Sequence, residues 1–255
     1  MEIATPPGFT CRYVDSIGST SDALKREASD HAPDGTTLAA GEQTAGRGRY
    51  GRVWASPPGN LYISVLLRDV GPLQQAAQLS FVAAVALGEA IAELTPDDVA
   101  VRFKWPNDIL ANGNKVAGLL LESGGPSDAP WIIIGSGINL QSHPPDTDFP
   151  ASDLKAQGAL VEGPSLAGAY LAALADWRAR WQAQGFAPIR AAWLGAAAHR
   201  GQGITLKLSG QEPRSGLFVD LDGDGALLFQ PEGRGSVERI TAGEVHFPVT
   251  AHEAS

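Results

Sequence analysis

The chain has 255 residues, 44% of them hydrophobic, and a formal charge of −9. This suits one large domain, or one domain with a small module, and argues against broad electrostatic attachment to nucleic acid or anionic lipid. Cys11 is the only cysteine, so an internal disulfide is excluded, a thiolate metal site is not expected, and a reducing cytoplasm is the simplest setting. Residues 1–9 lack the basic flank and apolar run of a signal peptide, and no segment reaches the length of a membrane span.

Residues 12–17 read as a short strand, and Gly18-Ser19-Thr20-Ser21-Asp22 turns it into a helix through about Ala28. Ser19 or Thr20 caps that helix, and a cap at a helix mouth can also face a pocket. After an Asp34-Gly35 turn, residues 36–43 form a strand with the Gln43 amide at its end. Then comes Gly46-Arg47-Gly48-Arg49-Tyr50-Gly51-Arg52-Val53-Trp54, in which three glycines and three arginines fall within seven residues. Glycine lets backbone approach a ligand closely, and arginine offers a planar donor fork to carboxylate or phosphate oxygens. The run therefore reads as a mobile loop that closes on a small anion. Gly46, Gly48 and Gly51 satisfy G-x-G-x-x-G, but Ser56-Pro57-Pro58-Gly59 follows where a helix should open, and no Lys-Ser/Thr ending is present. Neither a dinucleotide fingerprint nor a P-loop is expected.

Residues 60–68 are an apolar strand, so the loop joins two strands. Residues 73–94 are predicted as one helix covering the sheet with Leu79, Val82, Ala83, Ala86 and Ala90. In the next strand, alternation points Arg102 and Lys104 to one face, and Pro106 ends it or holds it at an edge. Residues 109–111 and 115–121 flank Asn112-Gly113, a hairpin signal that delivers Lys115 to the start of the returning strand. Gly118 within that strand implies close approach by another chain segment or a ligand. Residues 131–140 form a buried strand with a polar end, and a loop runs from His143 to about Asp153. A second long helix spans residues 165–184, with Leu166, Tyr170, Leu174, Trp177 and Trp181 as its stripe, and a short helix follows at about 189–196. From Gly203 the texture changes to short alternating strands at 204–208, 214–220 and 226–229. The expected fold is α+β: a mixed sheet covered by helices in residues 1–200, and a small antiparallel barrel in residues 201–255.

Several of these pieces stand in a familiar order: Gly18-Ser19-Thr20, residues 43–52, Trp54 with Ser56-Pro57, Lys104-Trp105-Pro106-Asn107-Asp108, Lys115-Val116-Ala117-Gly118 and Gly137-Ile138-Asn139-Leu140. Over this whole region the sequence resembles the biotin–protein ligase family. Gly225-Ala226-Leu227-Leu228 and Ala242-Gly243-Glu244-Val245 resemble the family's SH3-like C-terminal module. The resemblance implies a class II synthetase-like catalytic domain that uses ATP and Mg2+. Biotin would be activated to biotinyl-AMP, and the biotinyl group passed to a lysine of a biotin carboxyl carrier protein. Joining two anions calls for fixed positive charge where their oxygens meet, which Lys104, Lys115 and the arginine loop can supply.

By resemblance, Lys115 lies against the biotin carboxylate and α-phosphate, and Arg49 retains the adenylate. Ser19, Thr20, Gln43, Gly46, the backbone of Arg47 and Gly118 line the biotin pocket. Arg47, Arg49, Arg52, Trp54, Lys104, Asn107 and Asn139 match the nucleotide side. Asp108 helps place either magnesium or Lys115, and the sequence leaves both open. Two residues depart from the family: Ser21, where asparagine often follows Ser-Thr, and Ser136, where isoleucine is common between the glycines. Some relatives carry an N-terminal winged helix; strand-like sequence begins here by Arg12, so no operator binding is expected. Some relatives pair through sheet edges, which leaves a homodimer open. One alternative is a lipoate or octanoyl ligase, which lacks reason for the polar set at Ser19, Thr20 and Gln43. Another is a non-catalytic biotin-sensing module, which would not need Lys104, Asp108 and Lys115 together.

Overall fold

The computed structural model describes residues 3–71, 73–126, 130–233 and 235–247; residues 248–255 of the expected second module lie outside them. β1 (Thr10–Val14) and β2 (Thr36–Ala40) pair in parallel, with α1 (Thr20–Ser29) as the crossover. The other pairs of this sheet are antiparallel. They join β3 (Leu61–Leu67), β4 (Val101–Lys104), β5 (Asp108–Ala111), β6 (Asn114–Gly124) and β7 (Trp131–Ile138) in the order β1-β2-β3-β7-β6-β5-β4. Strand alternation sorts the side chains onto two faces. Leu66 and Ile133 pack with Leu24 of α1 in one cluster, while Val65, Leu67, Ile132 and Ile134 belong to the main core. That core continues into α3 (Gln78–Leu94), α4 (Gly163–Gln184) and α5 (Ala187–Gly195).

The expected helix over 73–94 is two helices, α2 (Leu73–Ala76) and α3, separated at Ala77. Ala77 keeps right-handed helical angles, and a tight Ser80 N–Ala77 O bond of 3.1 Å starts the next helix. Apolar spacing runs on through such a turn, so periodicity hides the break. Gln78, buried at the new start, accepts a hydrogen bond from Trp181 Nε1 of α4 at 2.9 Å. The α4 stripe is buried at Leu166, Tyr170, Leu174 and Trp181. Trp177 is only half-buried and donates to Glu89 Oε2 at 2.7 Å.

The C-terminal module is a five-stranded antiparallel sheet, ordered β11-β10-β9-β8-β12. Its strands are β8 (Gly203–Lys207), β9 (Arg214–Leu221), β10 (Leu227–Pro231), β11 (Glu238–Ile240) and β12 (Glu244–His246). Among the described residues no ladder between β11 and β12 closes it into a barrel. Those last two strands have three residues each, too few for alternation to reveal. The module is not suspended on a linker. Trp193 of α5 packs near Phe218 of β9 with ring centroids 6.3 Å apart. Trp105 Nε1 donates to Gly225 O at 3.1 Å, and Arg190 Nε to Leu221 O at 2.8 Å.

Candidate active site

A cavity of about 460 Å³ opens on the α1 face of the large sheet. Its first wall is the α1 N-terminus. Ser19 is the cap, its Oγ accepting from Asp22 N at 3.3 Å. Thr20 donates from both N and Oγ1 to Gln43 Oε1, at 2.8 and 3.0 Å. Ser64 Oγ lies 2.7 Å from Thr20 Oγ1 and 2.9 Å from Ser21 Oγ. Each hydroxyl has one hydrogen to give, so the donation runs Ser21 to Ser64 to Thr20 to Gln43. The Gln43 Nε2 is left to Ser56 Oγ at 3.3 Å. Ser21, the first departure from the family pattern, is thus built into the polar wall. Ser136, the second, interacts on the opposite face with the buried Tyr170 hydroxyl of α4, too loosely for either oxygen to be well hydrogen-bonded. Burial raises that hydroxyl to about 12.

The glycine–arginine loop crosses the mouth. Its base is closed by Trp54 N to Gly46 O at 3.0 Å and Gly48 N to Arg52 O at 2.7 Å. A side chain on Gly46 would collide with Ser56 and the Trp54 carbonyl. Gly46 therefore shapes the loop and, alone among the expected site residues, does not line the cavity. At the tip Tyr50 and Gly51 both take left-handed angles, φ 58° and 72°. The loop is tied at three points. Arg47 pairs with Asp22 and, at 3.6 Å, with Glu122. Arg49 Nη1 reaches Asn107 Oδ1 at 3.4 Å and Gly243 O at 3.3 Å. Arg52 pairs with Glu244 of β12.

Trp54 explains Gly118. Gly118 and Gly137 are register partners on β6 and β7, and the indole lies over both. A Cβ at Gly118 would sit 3.0 Å from the ring, and one at Gly137 closer still. The close approach read from the sequence is thus made by the protein's own tryptophan. Lys115 Nζ stands 5.1 Å from that ring.

The cavity floor carries the charges. Lys104 and Asp108 are register partners at the β4–β5 turn, both buried. Lys104 Nζ lies 2.6 Å from Asp108 Oδ2, and Lys115 Nζ lies 2.7 Å from Asp108 Oδ1. Burial alone would raise the Asp108 carboxyl; the two lysines, by charge and hydrogen bond, hold it at about 2. Burial lowers the Lys104 ammonium from the usual lysine value, with Asp108 opposing. The strand alternation behind this holds: Phe103 enters the main core, Lys104 faces the cavity, and Arg102 on the same side is exposed.

Both Asp108 oxygens are engaged by ammonium groups, so the residue fits the task of holding Lys115 rather than that of ligating a metal. Among the described residues no cluster of three His, Cys, Asp or Glu side chains could hold a metal ion. The residues present do not form a protein cage for Mg2+, which keeps water and phosphate ligands readily. Asn107 lines the cavity and donates from Nδ2 to Leu119 O at 2.5 Å. Asn139 also lines it, with its Nδ2 committed to Ser152 O at 3.0 Å, which fastens the 143–153 loop to the end of β7.

Sequence reasoning missed one wall. Asp148 and Phe149 of that loop, and Glu244 and His246 of β12, also line the cavity. Phe149 carries Lys104 Nζ 4.7 Å from its ring centre. An aromatic residue in a loop of prolines and acids was the one local signal. Glu244 and His246 had none, because only tertiary packing brings them to residues near 104.

Comparison with known proteins gives a consistent result. Residues 13–139 match the family model described as biotin/lipoate A/B protein ligase family, and residues 199–247 the biotin protein ligase C terminal domain. The chain is 39% identical over 238 residues to a biotin–[acetyl-CoA-carboxylase] ligase of Paracoccus denitrificans, covering 89% of this chain and 98% of that one. It is 35% identical to the bifunctional ligase/repressor BirA of Bacillus subtilis, covering 86% of this chain and 68% of that protein. Among solved structures, the biotin protein ligase of Aquifex aeolicus in complex with biotin and ATP superposes with a TM-score of 0.78 at 27% identity, covering 92% and 97% of the two chains. The Leishmania major enzyme in complex with biotinyl-5-AMP gives 0.66 at 27% identity, covering 93% and 100%.

Proposed function

Because the chain belongs to the biotin protein ligase family, we propose that it activates biotin with ATP and transfers it to one lysine of a biotin carboxyl carrier domain of an acetyl-CoA carboxylase or related carboxylase. In the first step a biotin carboxylate oxygen attacks the α-phosphorus and pyrophosphate leaves, giving biotinyl-5′-AMP. In the second, the carrier lysine amine attacks the acyl carbon, AMP leaves, and the amine proton passes to solvent.

The site roles are carried over from the family resemblance, and the arrangement of the cavity supports them. The Ser21–Ser64–Thr20–Gln43 chain offers oriented polar groups to the ureido ring, with Ser19, Gly118 and the Arg47 backbone beside it. Trp54, matched to the nucleotide side, also lies over Gly118 of that pocket. Lys115, aimed by Asp108 and reaching the cavity, meets the carboxylate and the α-phosphate. Lys104, Arg49 and Arg52 hold phosphate oxygens, and Asn107 and Asn139 shape the nucleotide end. Mg2+ would be held by phosphate oxygens and water rather than by these side chains, and would supply further positive charge there. An acyl-adenylate is lost to water unless shielded, and the arginine loop is the shield. The observation that carries this reading is the paired Lys104–Asp108–Lys115 floor under a cationic loop, which a sensing module would not need.

The decisive experiment is biotin-dependent ATP–pyrophosphate exchange followed by transfer of labelled biotin to a purified carrier domain. Exchange with lipoate but not biotin, or full exchange in Lys115→Ala, would overturn the reading. We place the enzyme in the cytoplasm with its carrier; no described helix is long and apolar enough to cross a membrane. The division into residues 1–200 and 201–255 is retained, with the second module completing the cavity. We expect no operator binding by the described residues; saturable binding in a gel shift at physiological salt would refute that. A homodimer would form along the β1 edge, since β4 is already bridged through Phe103 to Ala197, and sedimentation would reveal it.

A further inference from the structure

His246 has no part in the reaction just described, yet it stands in the same cavity. It comes from β12 of the C-terminal module, is half-buried, and its Nε2 is buried with no hydrogen-bond partner. A buried polar nitrogen left without a partner is costly, so its partner is to be sought in what the cavity binds. The charged groups facing it come from four elements and its own strand. Lys104 of β4, Lys207 of β8 and Arg52 of the loop are cationic, and Asp148 of the 143–153 loop is anionic. Glu244 Oε2 on its own strand lies 3.9 Å from Nε2, beyond hydrogen-bond reach, while the other oxygen of that carboxylate, Oε1, pairs with Arg52. An imidazole among three cations, beside a cavity for a triphosphate, has an anionic oxygen as its natural missing partner.

We infer that His246 is a nucleotide-binding residue: its protonated imidazole donates Nε2–H to a phosphate oxygen, so that ATP binding takes up a proton at this side chain. The inference rests on the reading of the cavity as an ATP site. In the free enzyme, burial first and then Lys207, Lys104 and Arg52 hold the imidazole below the usual histidine value, with Asp148 opposing. It is therefore neutral near pH 7. A bound triphosphate reverses that field and raises the value. A group whose proton affinity is higher in the complex favours binding fully below its free pKa, and the gain is lost as pH rises through the bound pKa.

The test is calorimetric titration of magnesium-saturated ATP into the full chain in two buffers of different ionisation enthalpy, from pH 6 to 9, for wild type and His246→Gln. Wild type should take up a clear fraction of one proton per ATP near pH 7 beyond any uptake by the variant. Its affinity advantage over the variant should fall from about tenfold at pH 6 toward none at pH 9. Equal proton uptake in the two proteins, or a pH-independent affinity ratio, overturns the inference while leaving the ATP site standing. Absence of proton uptake by wild type overturns it even if the variant fails to fold. If ATP does not bind at all, the reading of the cavity fails and the inference with it.

Discussion

At the scale of single residues, the site is a buried charge triplet whose members have separable tasks. Lys104 and Asp108 are both under a tenth exposed, and removing one member of a buried pair leaves the other charge uncompensated. Asp108→Asn should therefore cost about 3–5 kcal/mol in urea unfolding; a smaller loss would mean that the pair is hydrated. Lys115 is different, since a quarter of its side chain reaches the cavity and its loss leaves Asp108 still paired. Lys115→Ala should shift stability by less than about 1 kcal/mol while lowering pyrophosphate exchange by about 10²-fold or more. The Asp108 carboxyl is held at about 2, below its unfolded value near 4. Its contribution to stability is complete above that unfolded value and disappears as pH falls through the folded one. The stability gap between wild type and Asp108→Asn should thus be flat from pH 8 to 5 and shrink below about pH 4. The sequence named all three residues through the family resemblance; taken alone, only the lysine two places before Pro-Asn-Asp stood out from ordinary surface. It could not say that both ammonium groups meet one carboxylate, because that depends on β5 lying between β4 and β6.

Among the elements, the arginine loop and the strand pair beneath Trp54 matter most. The loop's ion pairs at Arg47 and Arg52 are partly exposed, and such pairs contribute about 0–1 kcal/mol each. They orient the loop without locking it. Trypsin should cut at Arg47, Arg49 or Arg52 in the free enzyme, and biotin with ATP should slow that cleavage about tenfold or more; equal rates would show that the loop does not close on the intermediate. The glycine pair makes a second prediction. A methyl at Gly137 displaces the indole from the sheet, so Gly137→Ala should raise the KM for biotin about tenfold or more and leave far-UV circular dichroism unchanged. The composition alone announced the loop, since no packed core uses alternating glycine and arginine. The break at Ala77 was invisible for the opposite reason: apolar spacing in the sequence runs on across it, and nothing in the pattern marks a turn that stays in helical dihedral space.

On the scale of the whole molecule, the two sheets share a core and a cavity. Phe81 of α3 packs edge-on against Trp193 at 5.5 Å and against Phe186 at 5.4 Å, and Trp193 in turn meets Phe218 of the second sheet. With that continuous apolar contact, chemical unfolding should be one transition, with coincident midpoints by tryptophan fluorescence and far-UV circular dichroism; two separated midpoints would show independent modules. The change of texture at Gly203 marked the second module in the sequence, but not that β12 would wall the site, since short edge strands carry too few residues to show a face. The distribution of aromatic residues has an optical consequence. Of the six tryptophans, Trp105, Trp131, Trp181 and Trp193 are buried, Trp177 rides on α4, and Trp54 alone lines the cavity, under an ammonium group. That placement makes the indole a built-in spectroscopic probe: if a bound carboxylate draws Lys115 away from the ring, emission should shift on titration with biotin, and Trp54→Phe should abolish the shift.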